Sequence, residues 1–315
     1  HFLNNVCTHM VDLDYRKLEI YNGNYDFFMV ESALSKTLLT NENSKKEAKI
    51  KELESFVRRF SANASKAKQA TSRANQLKKI KLDDVKKSSR VYPFIQFNQD
   101  KKVYNSALEV EKLNKSFDNL DVIKKFSVNI ESGERIAIIG NNGIGKSTLL
   151  RCFMNDLRVD SGKVTWNKNV NIGYFAQNHN EDFKYDISLI DWMAKWGRKG
   201  DDMQVIRGTL GRLLFTKDHI DKSIKVLSGG EKRRMIFGKI ILQKPNVIVL
   251  DEPTNHLDME TIESLNLALS RFEGTIVFAS HDREFISSLA TRIIEIKDDK
   301  ISDYSSNHEL LRSEA

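Results

Sequence analysis

The stretch that decides the fold is Ile136-Ala137-Ile138-Ile139-Gly140-Asn141-Asn142-Gly143-Ile144-Gly145-Lys146-Ser147-Thr148. Four apolar residues run into a turn with three glycines, then a lysine and two hydroxyls. The pattern is G-x-x-x-x-G-K-[ST], a phosphate-cradling loop between a buried strand and a helix. Glycines at 140, 143 and 145 let successive backbone N–H groups turn inward on a polyphosphate without Cβ atoms in the way. The helix starting near Lys146 aims its positive end at the same charge. In such a loop the lysine reaches the β- and γ-phosphates and the Ser147 hydroxyl holds Mg²⁺.

Downstream residues add chemistry to this loop. Asn246-Val247-Ile248-Val249-Leu250-Asp251-Glu252-Pro253 reads as a buried strand ending in two carboxylates. A strand of that apolarity sits centrally in a parallel sheet and delivers Asp251 to the edge beside the phosphate loop. Asp251 there holds Mg²⁺ directly or through water. Glu252 is placed to polarise an attacking water, as a general base or an orienting group. His281 follows a third apolar strand, Thr275-Ile276-Val277-Phe278-Ala279, and is expected to hydrogen-bond the γ-phosphate. Gln177, after Gly173-Tyr174-Phe175-Ala176, is a candidate contact to the metal or the water, with a plain surface residue as the alternative. Leu227-Ser228-Gly229-Gly230-Glu231 is a second Gly-rich helix start and so a second anion site. One domain needs only one such site. Two make sense if each nucleotide is held between the phosphate loop of one domain and this loop of another.

Length and charge set the remaining organisation. The 315 residues have room for about two domains, and no apolar run approaches the roughly 20 residues of a membrane span. Cys7 and Cys152 are the only cysteines, which suits a reducing, cytoplasmic setting. Residues 1–26 align without gaps onto residues 284–309 at a constant offset of 283, with Phe2/Phe285, Thr8/Thr291, Lys17/Lys300, Tyr21/Tyr304 and Asn24/Asn307 identical. The repeat predicts a short helix and a two-stranded hairpin in each copy. It reads residues 1–26 as the C-terminal tail of a first domain of the same kind, with a counterpart of Ser280-His281-Asp282-Arg283 expected just upstream. Residues 24–92 contain no Gly or Pro, which favours long helices. Ile50, Leu53, Val57 and Phe60 form one seam, and Ala67, Ala70, Ala74 and Leu77 another. An antiparallel helical hairpin turning at Ser61-Ala62-Asn63 follows, its first arm interrupted or recapped near residues 41–44. Residues 44–90 carry a net charge of +10 against +7 for the whole chain. Arg58, Arg59, Lys66, Lys68, Arg73, Lys78, Lys79 and Lys81 lie in a stretch with no acid. One-sign charge at a protruding tip repels itself and suits a polyanion such as nucleic acid. After Pro93 strands and helices alternate: strands near 108–113, 126–130, 135–139, 171–176, 246–250 and 275–279, with a helical insert at about 186–239.

The order G-N-N-G-I-G-K-S-T, Gln177, L-S-G-G-E, L-D-E-P and S-H-D, with Lys146 lying 82, 105 and 135 residues before Ser228, Asp251 and His281, resembles the ATP-binding cassette ATPases over residues 107–310. The resemblance implies an α/β P-loop nucleotide-binding domain with a helical subdomain, ATP and Mg²⁺ as cofactors, and ATPase activity. It implies that Phe117 stacks on adenine, although the residue pattern alone fits a core position equally. Asn255-His256-Leu257-Asp258 falls where the family couples its two sites, with Asp258 the residue concerned. The stretch from Asp251 to Asp258 and the basic linker at residues 60–73 are similar to the ABC-F subfamily of YbiT type. That implies residues 1–26 as the tail of a first cassette, 27–102 as the linker and 103–315 as a second cassette. It also implies a cytoplasmic protein docking at the ribosomal tRNA exit site, touching tRNA and rRNA through the linker, with no membrane subunit. Weak ATPase activity is expected of the chain alone, since the missing first cassette supplies the facing loops. An ATP-dependent DNA-binding protein of repair, or a transporter's energy subunit, are the rival readings.

Overall fold

The computed structural model describes residues 2–14, 17–60, 72–77, 91–117, 120–198, 200–297 and 300–304. The chain divides into two compact units, His1–Arg90 and Val91–Ala315.

The first unit opens with helix α1 (Phe2–Val6) and a hairpin of β1 (His9–Asp14) and β2 (Lys17–Asn22). At the offset of 283, these fall on Phe285–Leu289, on β10 (Arg292–Lys297) and on the whole of β11 (Lys300–Tyr304), so the sequence repeat is also a repeat of elements. Asn24 then starts α2 (Tyr25–Phe60) by accepting from the Phe27 N–H at 3.1 Å. At 1.5 Å per residue this 36-residue helix is about 54 Å long. It runs unbroken through residues 41–44, because the stretch holds neither Gly nor Pro to break it. Leu53 is buried, and Phe56 carries the Arg73 guanidinium 3.9 Å above its ring. Arg73 lies on α3 (72–77). The expected turn at 61–63 lies outside the described residues.

The second unit is organised on a six-stranded sheet in the order β11-β10-β5-β9-β8-β7. Strands β5 (Arg135–Gly140), β7 (Ile172–Phe175), β8 (Val247–Asp251), β9 (Thr275–Ala279) and β10 run parallel, and β11 closes one edge antiparallel. Parallel strands buried on both faces read as continuous apolar runs. In β5, Ile136 and Ile138 enter one core while Ala137 and Ile139 pack on the other. Val247 and Val249 of β8 likewise oppose Ile248 and Leu250. The first core includes α4 (Lys146–Phe153) and an antiparallel sheet of β3 (Ser106–Phe117), β4 (Leu120–Glu131) and β6 (Ser161–Trp166) in the order β4-β3-β6. The second core includes the helical insert: α5 (Leu189–Ala194), α6 (Met203–Arg212), α7 (Lys217–Ile220) and α8 (Gly229–Gln243). It also takes in α9 (Met259–Ser270) and α10 (Arg283–Leu289). Extended residues 91–97 join it too, with Pro93, Ile95 and Phe97 buried and the Phe94 N–H on the Arg212 carbonyl at 2.7 Å. Asp251, His281 and the loop after β5 therefore all follow C-terminal ends of parallel strands, where such sheets bind ligands.

Candidate functional site

Gly140 ends β5 and Gly145 caps α4, with residues 141–144 between them. Gly145 sits at φ 114, and a Cβ there would run into the Val122 side chain, so a glycine is required twice over. No side chain caps α4, which leaves its first N–H groups to an external acceptor. The loop opens on a cleft of about 570 Å³ lined by Asn142, Gly143, Gly145, Lys146, Ser147, Thr148, Gln177, Glu252, Asn255 and His281. Ile144 turns its side chain into the core beneath, so it offers the cleft backbone alone.

Lys146 Nζ donates to the carbonyls of Gly140 at 2.8 Å and Asn141 at 3.1 Å. It also faces His281 Nε2 at 3.0 Å. Glu252 Oε1 lies 3.0 Å from the same imidazole nitrogen. With His281 protonated on Nδ1, Nε2 accepts from the ammonium, and Glu252 Oε1 is left buried without a donor. Glu252 is 6% exposed and holds φ 49, a strained backbone for a side-chain-bearing residue. Its N–H is fixed on the Ala279 carbonyl at 2.9 Å. Burial raises the Glu252 pKa above the usual carboxylate range; the neighbouring Asp251 adds to this and the Lys146 ammonium opposes it. Burial likewise raises Asp251, against the Ser147 hydrogen bond and the Lys146 and Arg151 charges. Desolvation lowers Lys146, against Glu252 and Asp251. It also lowers His281, with the Lys146 charge acting the same way. Ser147 Oγ donates to Asp251 Oδ1 at 3.0 Å. A hydroxyl and a desolvated carboxylate side by side are hard oxygen donors suited to Mg²⁺, which binds through one or two protein oxygens plus phosphates. Among the described residues no three His, Cys, Asp or Glu side chains gather as a metal cage.

A family model described as ABC transporter matches residues 123–255, and a second of the same description matches residues 11–97. The chain is 57% identical over 309 residues to the "Probable ATP-binding protein YbiT" of Escherichia coli O157:H7, covering 98% of this chain and 58% of that protein. The chain belongs to the ABC-F family, YbiT type. This ABC-F chain is also 44% identical over 304 residues to the "Uncharacterized ABC transporter ATP-binding protein YkpA" of Bacillus subtilis, covering 96% of this chain and 56% of the other. It thus spans little more than half the length of either relative. A solved dimeric ATP-binding cassette bound to ADP and phosphate shares the fold at a TM-score of 0.53 and 20% identity, over 63% of this chain and 98% of that one.

Other expected site residues lie apart from the cleft lining. Phe117, 44% exposed, stands at the end of β3 with Lys115 Nζ 5.2 Å from its ring centroid. It pairs with Leu120 across the β3–β4 hairpin, whose Val122 abuts Gly145. Ser228 and Glu231 form a capping box on α8: the Ser228 hydroxyl accepts from the Glu231 N–H and the Glu231 carboxylate from the Ser228 N–H. Glu231 is thereby committed to its own helix. A Cβ at Gly229 would meet nothing, and one at Gly230 would make ordinary contact, so neither glycine is required by this chain's own packing. Asp258 caps α9 by accepting from the Thr261 N–H at 2.8 Å and lies 3.5 Å from Arg234 on α8. Of the basic linker residues, Arg58, Arg59 and Arg73 are described; Lys66, Lys68, Lys78, Lys79 and Lys81 lie outside the described residues. Asn255, read from sequence only as the start of the coupling stretch, lines the cleft itself, and its place three residues after Glu252, in the turn that follows β8, could have flagged it.

Proposed function

We propose that this ABC-F chain binds ATP with Mg²⁺, that its cleft hydrolyses ATP, and that the full-length protein uses the cycle on the ribosome. The observation that carries the reading is the convergence of Lys146, Ser147, Asp251, Glu252 and His281 behind a glycine loop whose helix N-terminus is open. Mg²⁺ held by Ser147 and Asp251 would neutralise phosphate charge. Lys146 exchanges its loop carbonyls for β- and γ-phosphate oxygens, and His281 steadies the γ-phosphate. Gln177, at the cleft edge, orients the metal or the water. Glu252 takes the proton of the attacking water as the new P–O bond forms and the bridging P–O bond breaks; burial raises its pKa, which strengthens it as a proton acceptor. Phe117 stacks on the adenine. Ser228, Gly229 and Gly230 serve a nucleotide on a facing cassette, which the open space around the two glycines supports. The division into a first-cassette tail at 1–26, a linker at 27–102 and a cassette at 103–315 belongs to this reading.

The long α2, the Arg73–Phe56 stack and the surplus positive charge of residues 44–90 support a basic hairpin that contacts tRNA and rRNA, in the cytoplasm and without a membrane subunit. Among the described residues no helix is long and apolar enough to cross a membrane. In the full-length protein Glu252→Gln is expected to accumulate on ribosomes in ATP. Ribosome association no greater than wild type sinks the reading, and preference for DNA junctions over ribosomes and structured RNA redirects it to DNA.

A further inference from the structure

The end of β3 that carries Phe117 is held by a loop far from it in sequence. The Asp160 carboxylate, just before β6, accepts from Lys115 Nζ at 2.8 Å, the Ser116 N–H at 2.6 Å and Ser116 Oγ at 2.7 Å. The Asp160 N–H returns a bond to the Asn114 carbonyl at 3.0 Å. Asn114 Nδ2 reaches Ser161 Oγ at 2.8 Å, and Asn114 Oδ1 accepts from the Lys125 N–H at 2.8 Å. Gly162, at φ 92, passes so close to the β3 backbone at residues 111–113 that a Cβ would collide with it. These bonds fall where the β3–β4 ladder shifts register repeatedly, between Val110 and Ser116, just before it closes on Ser116/Asp121 and Phe117/Leu120. The four made by Asp160 brace the strand where its register is irregular.

We propose that Asp160 is the positioning residue of the aromatic platform Phe117, locking Lys115 and Ser116 so that the ring projects above the phosphate loop with one face free for a nucleobase. The inference rests on the reading of Phe117 as that platform. Lys115 is only 12% exposed at its side chain, and Asp160 keeps its ammonium at a fixed distance from the ring. The lysine thereby marks one neighbourhood of the ring as occupied. Stacking on an aromatic face contributes affinity for the base, so a ring released from its clamp forfeits affinity for the base and none for the phosphates.

The test compares binding of Mg·ATP and of Mg·tripolyphosphate, which lacks the base, to the whole chain by titration calorimetry. Phe117→Ala is expected to weaken ATP roughly tenfold and leave tripolyphosphate unchanged. Asp160→Ala is expected to do the same within about twofold, and isosteric Asp160→Asn, which keeps an acceptor for Ser116 but loses the ion pair, to fall between. If Asp160→Ala does not fold, the Asn variant carries the comparison. An ATP affinity unchanged in both Asp160 variants while Phe117→Ala weakens it overturns the inference alone. Equal losses for ATP and tripolyphosphate in the Asp160 variants also overturn it, since they report general loosening. No effect of Phe117→Ala overturns the platform reading and the inference with it.

Discussion

At the residue scale, Glu252 holds a position that favours chemistry over stability. Desolvation raises the Glu252 pKa, so folding disfavours the ionised carboxylate relative to its state in water. The sign follows: folding gains from this group as pH falls through its raised pKa and loses as pH rises. Glu252→Gln is therefore expected to raise the melting temperature by roughly 1–3 °C at pH 7.5 and to bring the two proteins together at acid pH, while cutting ATP turnover at least about a hundredfold. Scanning calorimetry at pH 5 and 7.5 checks the first part; a melting point lower than wild type at pH 7.5 contradicts it. The acid limb of the wild-type rate profile should lie above the ordinary glutamate range of about 4.3. The two glycine loops give a second contrast. Gly145→Ala places a methyl into Val122 and forces a left-handed backbone, so it should abolish measurable ATP binding. Gly229→Ala meets nothing and should leave both melting point and ATP binding of this chain unchanged, which a single titration of each variant decides. The phosphate loop, both carboxylates and His281 were legible because each stands at a fixed interval after an apolar strand. Asn255 was not, because its role depends on the turn that brings it back over the cleft.

At the element scale, α8 and α9 are tied together at their N-termini. Asp258 caps α9 and faces Arg234, one turn beyond the Ser228 loop. Asp258→Ala removes a cap and an ion pair, and a loss of about 1–2 kcal/mol in urea denaturation is expected, most of it from the cap since the pair is partly exposed. Asp258→Asn keeps the cap acceptor and should recover most of that loss. The same element-level logic explains what the sequence displayed and what it hid. β9 runs over Thr275–Ala279 as read, and β5, β7 and β8 end within a residue of expectation, because strands buried on both faces are unbroken apolar runs. β6, Ser161–Trp166, had no such signal: its first three residues are exposed and only Val164 and Trp166 pack inward. It exists because Gly162 can lie against β3, a tertiary fact that no local pattern carries. α2 shows the opposite error, since polar residues 41–44 read as a break or a fresh cap and are part of a continuous helix.

At the scale of the whole molecule, charge is segregated: residues 44–90 hold a net +10 while the entire chain holds +7, so the remainder is net acidic. A polyanion therefore meets attraction at one stretch and mild repulsion elsewhere, which orients binding without any base-specific contact. Each basic side chain that neutralises a phosphate adds about 0.7–0.9 to the slope of log affinity against log salt. Arg58 and Arg59 end α2 as an exposed pair, free of acidic neighbours in sequence from residue 55 to 82. Converting both to Glu is expected to lower affinity for a structured RNA about tenfold or more near 150 mM salt and to flatten the salt slope by about 1–2 units. Mg·ATP affinity should not change, because neither arginine is among the residues that line the nucleotide cleft. Filter binding of one labelled tRNA across a salt series measures both quantities. An unchanged slope would mean that these arginines face solvent in the complex as they do in the free chain, and that the linker is a spacer whose charge has no phosphate partner.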